Sequence, residues 1–140
     1  MNTMCSIQRL DLSAYSWEDA RGWGLNLLKA SLGTDPTIGD LHVVSMEPGS
    51  VRGNHFHDAG VEWLLILNGP VDVIWSKPSG TSQKERIIEF PALYRIPPGV
   101  AHAVINVSAG VVFLVAVGDQ GERETRPCTL VEGVQTISQG

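Results

Sequence analysis

From Asp40 onward, short apolar stretches follow one another so closely, and are cut so regularly by proline and glycine, that no helix fits between them. The stretches span residues 41–46, 61–67, 71–75, 86–90, 93–96, 101–107 and 111–117. Pro48-Gly49, Asn68-Gly69-Pro70, Pro78-Ser79-Gly80, Pro97-Pro98-Gly99 and Ser108-Ala109-Gly110 separate them. Proline removes a backbone donor and glycine opens the left-handed region, so these clusters stop a strand and turn the chain. Parallel strands would need long crossover connections, and the gaps are too short for them. The pattern predicts an all-β antiparallel barrel or sandwich.

At 140 residues, 43% of them hydrophobic, the chain can pack one domain and is short for two. Its formal net charge of -5, with no cluster of lysine or arginine, is unfavourable for nonspecific nucleic-acid binding. Single arginines in a pocket would still hold an anionic small molecule. Cys5 and Cys128 are too few for a disulfide framework and read as free thiols. Residues 1–12 carry polar and charged side chains where a signal peptide needs an apolar centre. The longest apolar run, residues 63–67, is far below membrane-spanning length. The expectation is a cytoplasmic protein without a membrane partner.

Residues 1–35 read as an N-terminal arm or extension packed on a barrel of residues 36–135, with 136–140 a flexible tail. In the arm, Ser16-Trp17-Glu18-Asp19 suits a helix start, with Trp17, Ala20, Leu27 and Leu28 along one face. Gly22 and Gly24 argue instead for a turn or an irregular strand. Both readings stay open.

Glu62 stands between Val61 and the run Trp63-Leu64-Leu65-Ile66-Leu67. A bare carboxylate is too costly to bury, so it must reach solvent, a partner or a metal. His55 and His57 precede it and flank Phe56. On an extended strand the two histidines share a face, with Phe56 on the other. Asp58-Ala59-Gly60 reads as a turn, and antiparallel pairing of the strands on either side would set Glu62 beside both imidazoles. His102 opens a later strand, just past the Pro97-Pro98-Gly99 turn. Three imidazoles and a carboxylate suit one divalent transition metal: zinc, iron, manganese, nickel or copper. Histidines alternating at a solvent-facing rim would produce the same spacing, so periodicity alone leaves both readings open.

Gly49-x5-His55-x-His57-x4-Glu62-x6-Gly69 resembles the first motif of the cupins at each defining position. Pro97-x-Gly99-x2-His102-x3-Asn106 resembles the second. The glycine expected six residues before Pro97 is Pro91 here, which alters a turn and removes no ligand. The resemblance implies a double-stranded β-helix, or jelly roll, with one divalent metal per chain held by His55, His57, Glu62 and His102.

Asp19-Ala20-Arg21-Gly22-Trp23 is similar to the Asp-x-Arg-Gly signature of sugar-nucleotide epimerases and ketoisomerases. Val51–His57 is similar to their Arg-Gly-x-His segment, and most of all to the cupin domain of capsular-polysaccharide enzymes. This resemblance implies that Arg21 and Arg52 bind a nucleotide diphosphate, although ordinary salt bridges would also account for them. It further implies metal-assisted proton transfer beside a sugar carbonyl. In metal-free epimerases of this type the residue matching His55 is the base. Here His55 is assigned to the metal, which leaves the base open. His42 and Tyr94 are the remaining catalytic candidates. His42 shares a strand face with Val44 and Met46, but alternation does not reveal which face is inward. Tyr94, between Leu93 and Arg95, is either a packed residue with its hydroxyl at the rim or a catalytic acid.

Three functions compete. The first is an epimerase or isomerase of a nucleotide-linked keto sugar. The second is an iron-dependent small-molecule dioxygenase using the same four ligands. The third is a noncatalytic metal-binding or ligand-sensing cupin, which the lack of an identifiable base favours. Trp63, Leu65 and Leu67 would face outward, opposite Glu62, Leu64 and Ile66, and so apolar a row needs cover. Either residues 15–32 supply it or a second subunit does, and a homodimer through this face is expected.

Overall fold

The computed structural model describes residues 6–32, 37–76, 80–120, 124–128 and 130–131. The N-terminal part contains β1 (Gln8–Arg9), β2 (Ser16–Asp19), β3 (Gly22–Leu25) and a short helix α1 (Leu27–Leu32). Nine strands follow: β4 (Asp40–Met46), β5 (Val51–His57), β6 (Glu62–Ile66), β7 (Val71–Ser76), β8 (Gln83–Ile87), β9 (Ala92–Ile96), β10 (Ala101–Asn106), β11 (Val112–Gly118) and β12 (Thr125–Pro127). Together with β1 they form two five-stranded antiparallel sheets, in the orders β1-β9-β6-β11-β4 and β12-β5-β10-β7-β8. The chain changes sheet at nearly every turn from β4 to β12, with only β7 and β8 joined as neighbours. This is the cupin jelly roll.

The inward faces bury Met46, Leu64, Ile66, Val73, Ile87, Tyr94, Val104 and Leu114 in one core. Removing such a side chain from water stabilises the fold by roughly 1.5–3 kcal/mol each. The turns follow from their glycines: Gly49 and Gly99 both sit at positive φ, 81° and 80°, where a side chain would be strained.

The structure decides four points. First, β5 and β6 do not pair: β5 lies between β12 and β10, whereas β6 lies between β9 and β11 in the other sheet. Glu62 therefore approaches the histidines across the barrel interior. Second, the strand expected over residues 86–90 starts earlier, at Gln83, and ends at Ile87. Cross-strand attraction draws it there, because Arg86 and Lys84 both pair with the buried Asp72 of β7.

Third, of the two open readings of the arm the strand holds for residues 16–25, which form a β-hairpin, and helix begins only at Leu27. Gly24 is the reason: a Cβ there would run into the indole of Trp17, which lies over it. Asp19 accepts a hydrogen bond from Arg21 N at 2.8 Å within the turn. Asn26 accepts one from Lys29 N at 3.2 Å and so starts α1. Fourth, Trp63 is not open to a second subunit. With Leu65, Leu93 and Val117 it is buried under Leu10, Leu12, Leu25, Leu27, Ala30 and Leu32 of the chain's own N-terminal part.

Cys128 is a half-buried free thiol whose pKa burial raises. Cys5, the Pro78-Ser79 part of one turn and the 136–140 tail lie outside the described residues.

Candidate metal centre

His55 and His102 stand directly opposite each other on β5 and β10, and just beyond them the register slips: Ala103 pairs with Gly53, leaving Asn54 as the extra residue of a bulge. Gly53 and Asn54 have φ of 82° and 62°, the left-handed region that a bulge uses. Gly53 also has no room for a side chain, since a Cβ would lie 2.8 Å from the carbonyl oxygen of His102. The Asn54 side chain turns away to clamp the C-terminal segment, accepting from Leu130 N and Val131 N and donating to Val131 O. The bulge thereby aims His55 at His102 and anchors the chain end.

The ring centroids of His55 lie 4.7 Å from those of His57 and 4.8 Å from those of His102, and all three residues are buried. Their ligating nitrogens cluster within 4.8 Å of one another. Glu62 completes the group: Oε2 is 3.4 Å from His57 Nε2 and Oε1 is 3.4 Å from His102 Nε2. The outer ring nitrogens are held from behind. His102 Nδ1 lies 3.1 Å from Val100 O, an acceptor only, so Nδ1 carries the hydrogen and Nε2 offers its lone pair inward. His57 Nδ1 lies 3.0 Å from Thr125 Oγ1 of β12. Such partners orient imidazoles around an ion.

These observations fit a divalent cation. His57 Nε2 is buried with no hydrogen bond of its own, facing a carboxylate at a distance long for one. Two ligand atoms about 2.1 Å from one ion at tetrahedral angles would themselves be about 3.4 Å apart. Burial by itself would raise the Glu62 carboxyl, but the facing His102 and His57 rings outweigh it and hold it well below the ordinary value of 4.5. An ionised carboxylate and converging imidazole nitrogens are a hard–borderline donor set for zinc, iron, manganese, nickel or copper.

The centre opens into a cleft of about 310 Å³, counting its mouth. Val44, Leu64, Val104, Leu114 and Ala116 form apolar walls, and His42, Arg52, His55, Glu62 and His102 supply the polar groups. His42 thus faces inward, together with Val44 and the buried Met46. Its Nδ1 is 3.1 Å from Asp40 Oδ2. Arg52 lines the same cleft and donates from Nε and Nη2 to Ser45 O at 3.3 and 2.9 Å. The other two candidates are placed elsewhere. Arg21 is exposed in the β2–β3 turn, paired with Asp19 at 2.6 Å. Tyr94 is core, its hydroxyl 3.4 Å from Glu85 Oε2, and burial together with the Glu85 charge pushes its pKa well above the ordinary tyrosine value.

Asp40, Asn54 and Thr125 escaped the sequence reading. Asp40 lies two residues before His42, which on a strand means the same face, and that spacing was a usable signal. Thr125 was not readable, because its partner His57 is 68 positions away.

A family model described as "Polysaccharide biosynthesis C-terminal domain" matches residues 17–120. Germin-like protein 1-2 of Oryza sativa subsp. japonica is 26% identical over 101 residues, which are 69% of this chain and 45% of that protein. The dTDP sugar isomerase of Desulfovibrio desulfuricans G20 superposes with a TM-score of 0.70 at 18% identity, covering 89% of this chain and 85% of that one. The capsular polysaccharide assembling protein CapF of Staphylococcus aureus has a TM-score of 0.60 at 18% identity, covering 66% of this chain and 27% of that one. The chain thus spans less than half the length of the germin-like protein and about a quarter of CapF. At these identities the structural likenesses establish the fold.

Proposed function

The chain belongs to the polysaccharide biosynthesis C-terminal domain family, and from that membership and its histidine–glutamate centre we propose a metal-dependent epimerase or isomerase of a nucleotide-linked keto sugar. The observation that carries the reading is one cleft in which Arg52 stands alongside Glu62, His55 and His102. Similarity to a dTDP sugar isomerase over most of both chains supports the same class of substrate.

His55, His57, Glu62 and His102 would hold one divalent ion. When bound, the ion supplies Lewis-acid polarisation of a carbonyl oxygen. The protein's own groups do the rest. The apolar walls exclude water from the sugar carbon next to the carbonyl. A guanidinium has five N–H donors, and with Nε and Nη2 turned to Ser45 O, Arg52 keeps Nη1 for a phosphate oxygen. The sugar ring would lie against the cleft walls, with the nucleotide outside the mouth. The proposal does not use Arg21 or Tyr94.

A homodimer and a cytoplasmic location belong to the same proposal. Exposed Leu41, Val43 and Phe113 on β4 and β11 support the first. Among the described residues no helix is long and apolar enough to cross a membrane.

The experiment is incubation of metal-loaded protein with a panel of nucleotide-linked 4-keto sugars in deuterated water. Exchange at C3 or C5, lost in Glu62→Ala, is expected. The apolar walls favour a second reading, the iron-dependent dioxygenase. Oxygen consumption with another small molecule and no exchange would establish that reading instead. Neither exchange nor oxygen uptake would leave the noncatalytic cupin.

A further inference from the structure

His42 is the one imidazole lining the cleft that the metal centre does not use. Its two nitrogens have unlike surroundings. Nδ1 lies 3.1 Å from the Asp40 carboxylate, at the solvent side of β4, where both side chains are about one-third exposed. Nε2 is buried and makes no hydrogen bond within the protein. A carboxylate only accepts, so the pair is satisfied when Nδ1 carries the hydrogen. The lone pair then resides on the buried Nε2, and the residue lines the cleft that Glu62 and His102 also line.

The register of β4 accounts for this placement. His42 pairs with Ala116 and Val44 with Leu114 on β11, and these small and apolar neighbours share the cleft wall. They offer nothing for Nε2 to bond. A buried ring nitrogen without a partner is costly unless something that enters the cleft supplies one. Asp40 precedes His42 by two residues on the same strand, so both side chains project to one face without help from any loop.

The geometry points to His42 as the proton acceptor of the reaction proposed above and to Asp40 as its positioning residue. The inference rests on that proposed reaction. The hydrogen on the carbon beside the carbonyl passes to Nε2, and the electron pair of the broken C–H bond moves toward the carbonyl oxygen. Return of a proton to carbon restores neutral His42, so no oxidant or reductant is consumed. While His42 carries the extra proton, Asp40 faces an imidazolium and stabilises it. Asp40 also prevents the other tautomer, in which Nε2 would carry a hydrogen and accept nothing.

Two measurements on full-length, zinc-loaded protein decide it. Long-range proton–nitrogen NMR spectra of His42 should find Nδ1 protonated and Nε2 bare in the native protein, with the Nε2–H form rising in Asp40→Ala. Deuterium exchange into the keto sugar should fall about 10²–10⁴-fold in kcat for His42→Gln. Asp40→Ala should also lower kcat by at least tenfold, with KM changed less than threefold and one zinc per chain retained. Asp40→Asn, which keeps the shape of the side chain, guards against misfolding and should also lose rate. Native protein that exchanges normally alongside an Asp40→Ala variant of undiminished kcat overturns the positioning role. A native His42 with Nε2 protonated does so as well. Native protein that exchanges no sugar overturns the reaction itself, and the role of His42 as base with it.

Discussion

Glu62 and Asp72 are both buried carboxylates, and each is kept ionised by a different device. Glu62 faces two imidazole nitrogens at 3.4 Å, the spacing of ligands around an ion. His57→Ala removes one ligand and opens a gap beside the carboxylate. Elemental analysis should find about one metal per native chain and a content falling toward none in the variant. Full occupancy in the variant would refute the ligand set. Asp72 instead meets Arg86, in a hydrogen-bonded pair completed by Nη2 at 3.1 Å, and Lys84 Nζ at 3.3 Å. The Arg86 hydrogen bond lowers its pKa from the ordinary 3.8, against burial, which acts the other way. A carboxyl lowered by folding adds stability that is fully present above its unfolded value and is lost as pH falls through the folded one. Urea unfolding should accordingly find Asp72→Asn less stable at neutral pH, and the gap should narrow as pH drops below about 3.8. A gap that is constant with pH would contradict the pairing.

At the scale of the element, β5 shows how a local irregularity builds a site. An unbroken strand would pair Asn54 with Ala103 and Gly53 with Val104, whereas the bulge takes Asn54 out of the ladder and sets Gly53 opposite Ala103. Gly53→Ala forces a Cβ to 2.8 Å from His102 O at a φ of 82°. The expected cost is about 2–3 kcal/mol of unfolding free energy, together with weaker metal binding as His102 is displaced. Denaturation of the apo protein and metal titration measure the two separately. A wild-type stability would mean the strand can relax around the methyl group. The β2–β3 hairpin is the opposite case, an element whose sequence supports two structures. Ser16 to Asp19 carries helix-start residues, but the Trp17 ring needs the vacant side of Gly24, which only the hairpin pairing provides.

For the whole molecule, the outer face of the β6 sheet is divided between internal cover and exposure. Residues Leu10 to Leu32 lie over Trp63, Leu65 and Val117, whereas Val43 and Phe113 remain 69% and 45% exposed. Trp63→Lys should therefore damage folding of the single chain, by about 3–5 kcal/mol, because the charge enters a dry cluster. Val43→Glu should change unfolding by no more than about 0.5 kcal/mol, since the position is open. If a second copy sits on this row, light scattering should find a native dimer that Val43→Glu converts to monomer. A native monomer at micromolar concentration would remove the dimer from the proposal.

The His55–His57 pair, most of the strands and their turns were legible along the chain because they depend on neighbours in sequence. Gly49, Gly99 and the proline clusters set turns through their own backbone limits, and His55 and His57 share a face through a two-residue period. Three features were not legible. Alternation is the same for either face, so the inward direction of His42 awaited the packing of β4 against β11. Proximity in sequence placed Glu62 beside β5, but β5 and β6 joined different sheets, and the carboxylate meets the histidines from the opposite wall. Cover for Trp63 came from Leu10 to Leu32 and not from a partner, because the N-terminal segment lays its own leucines over that half of the sheet. Each is a choice between nonlocal contacts of similar chemistry, and it is made by whichever arrangement removes the most apolar surface from water at once.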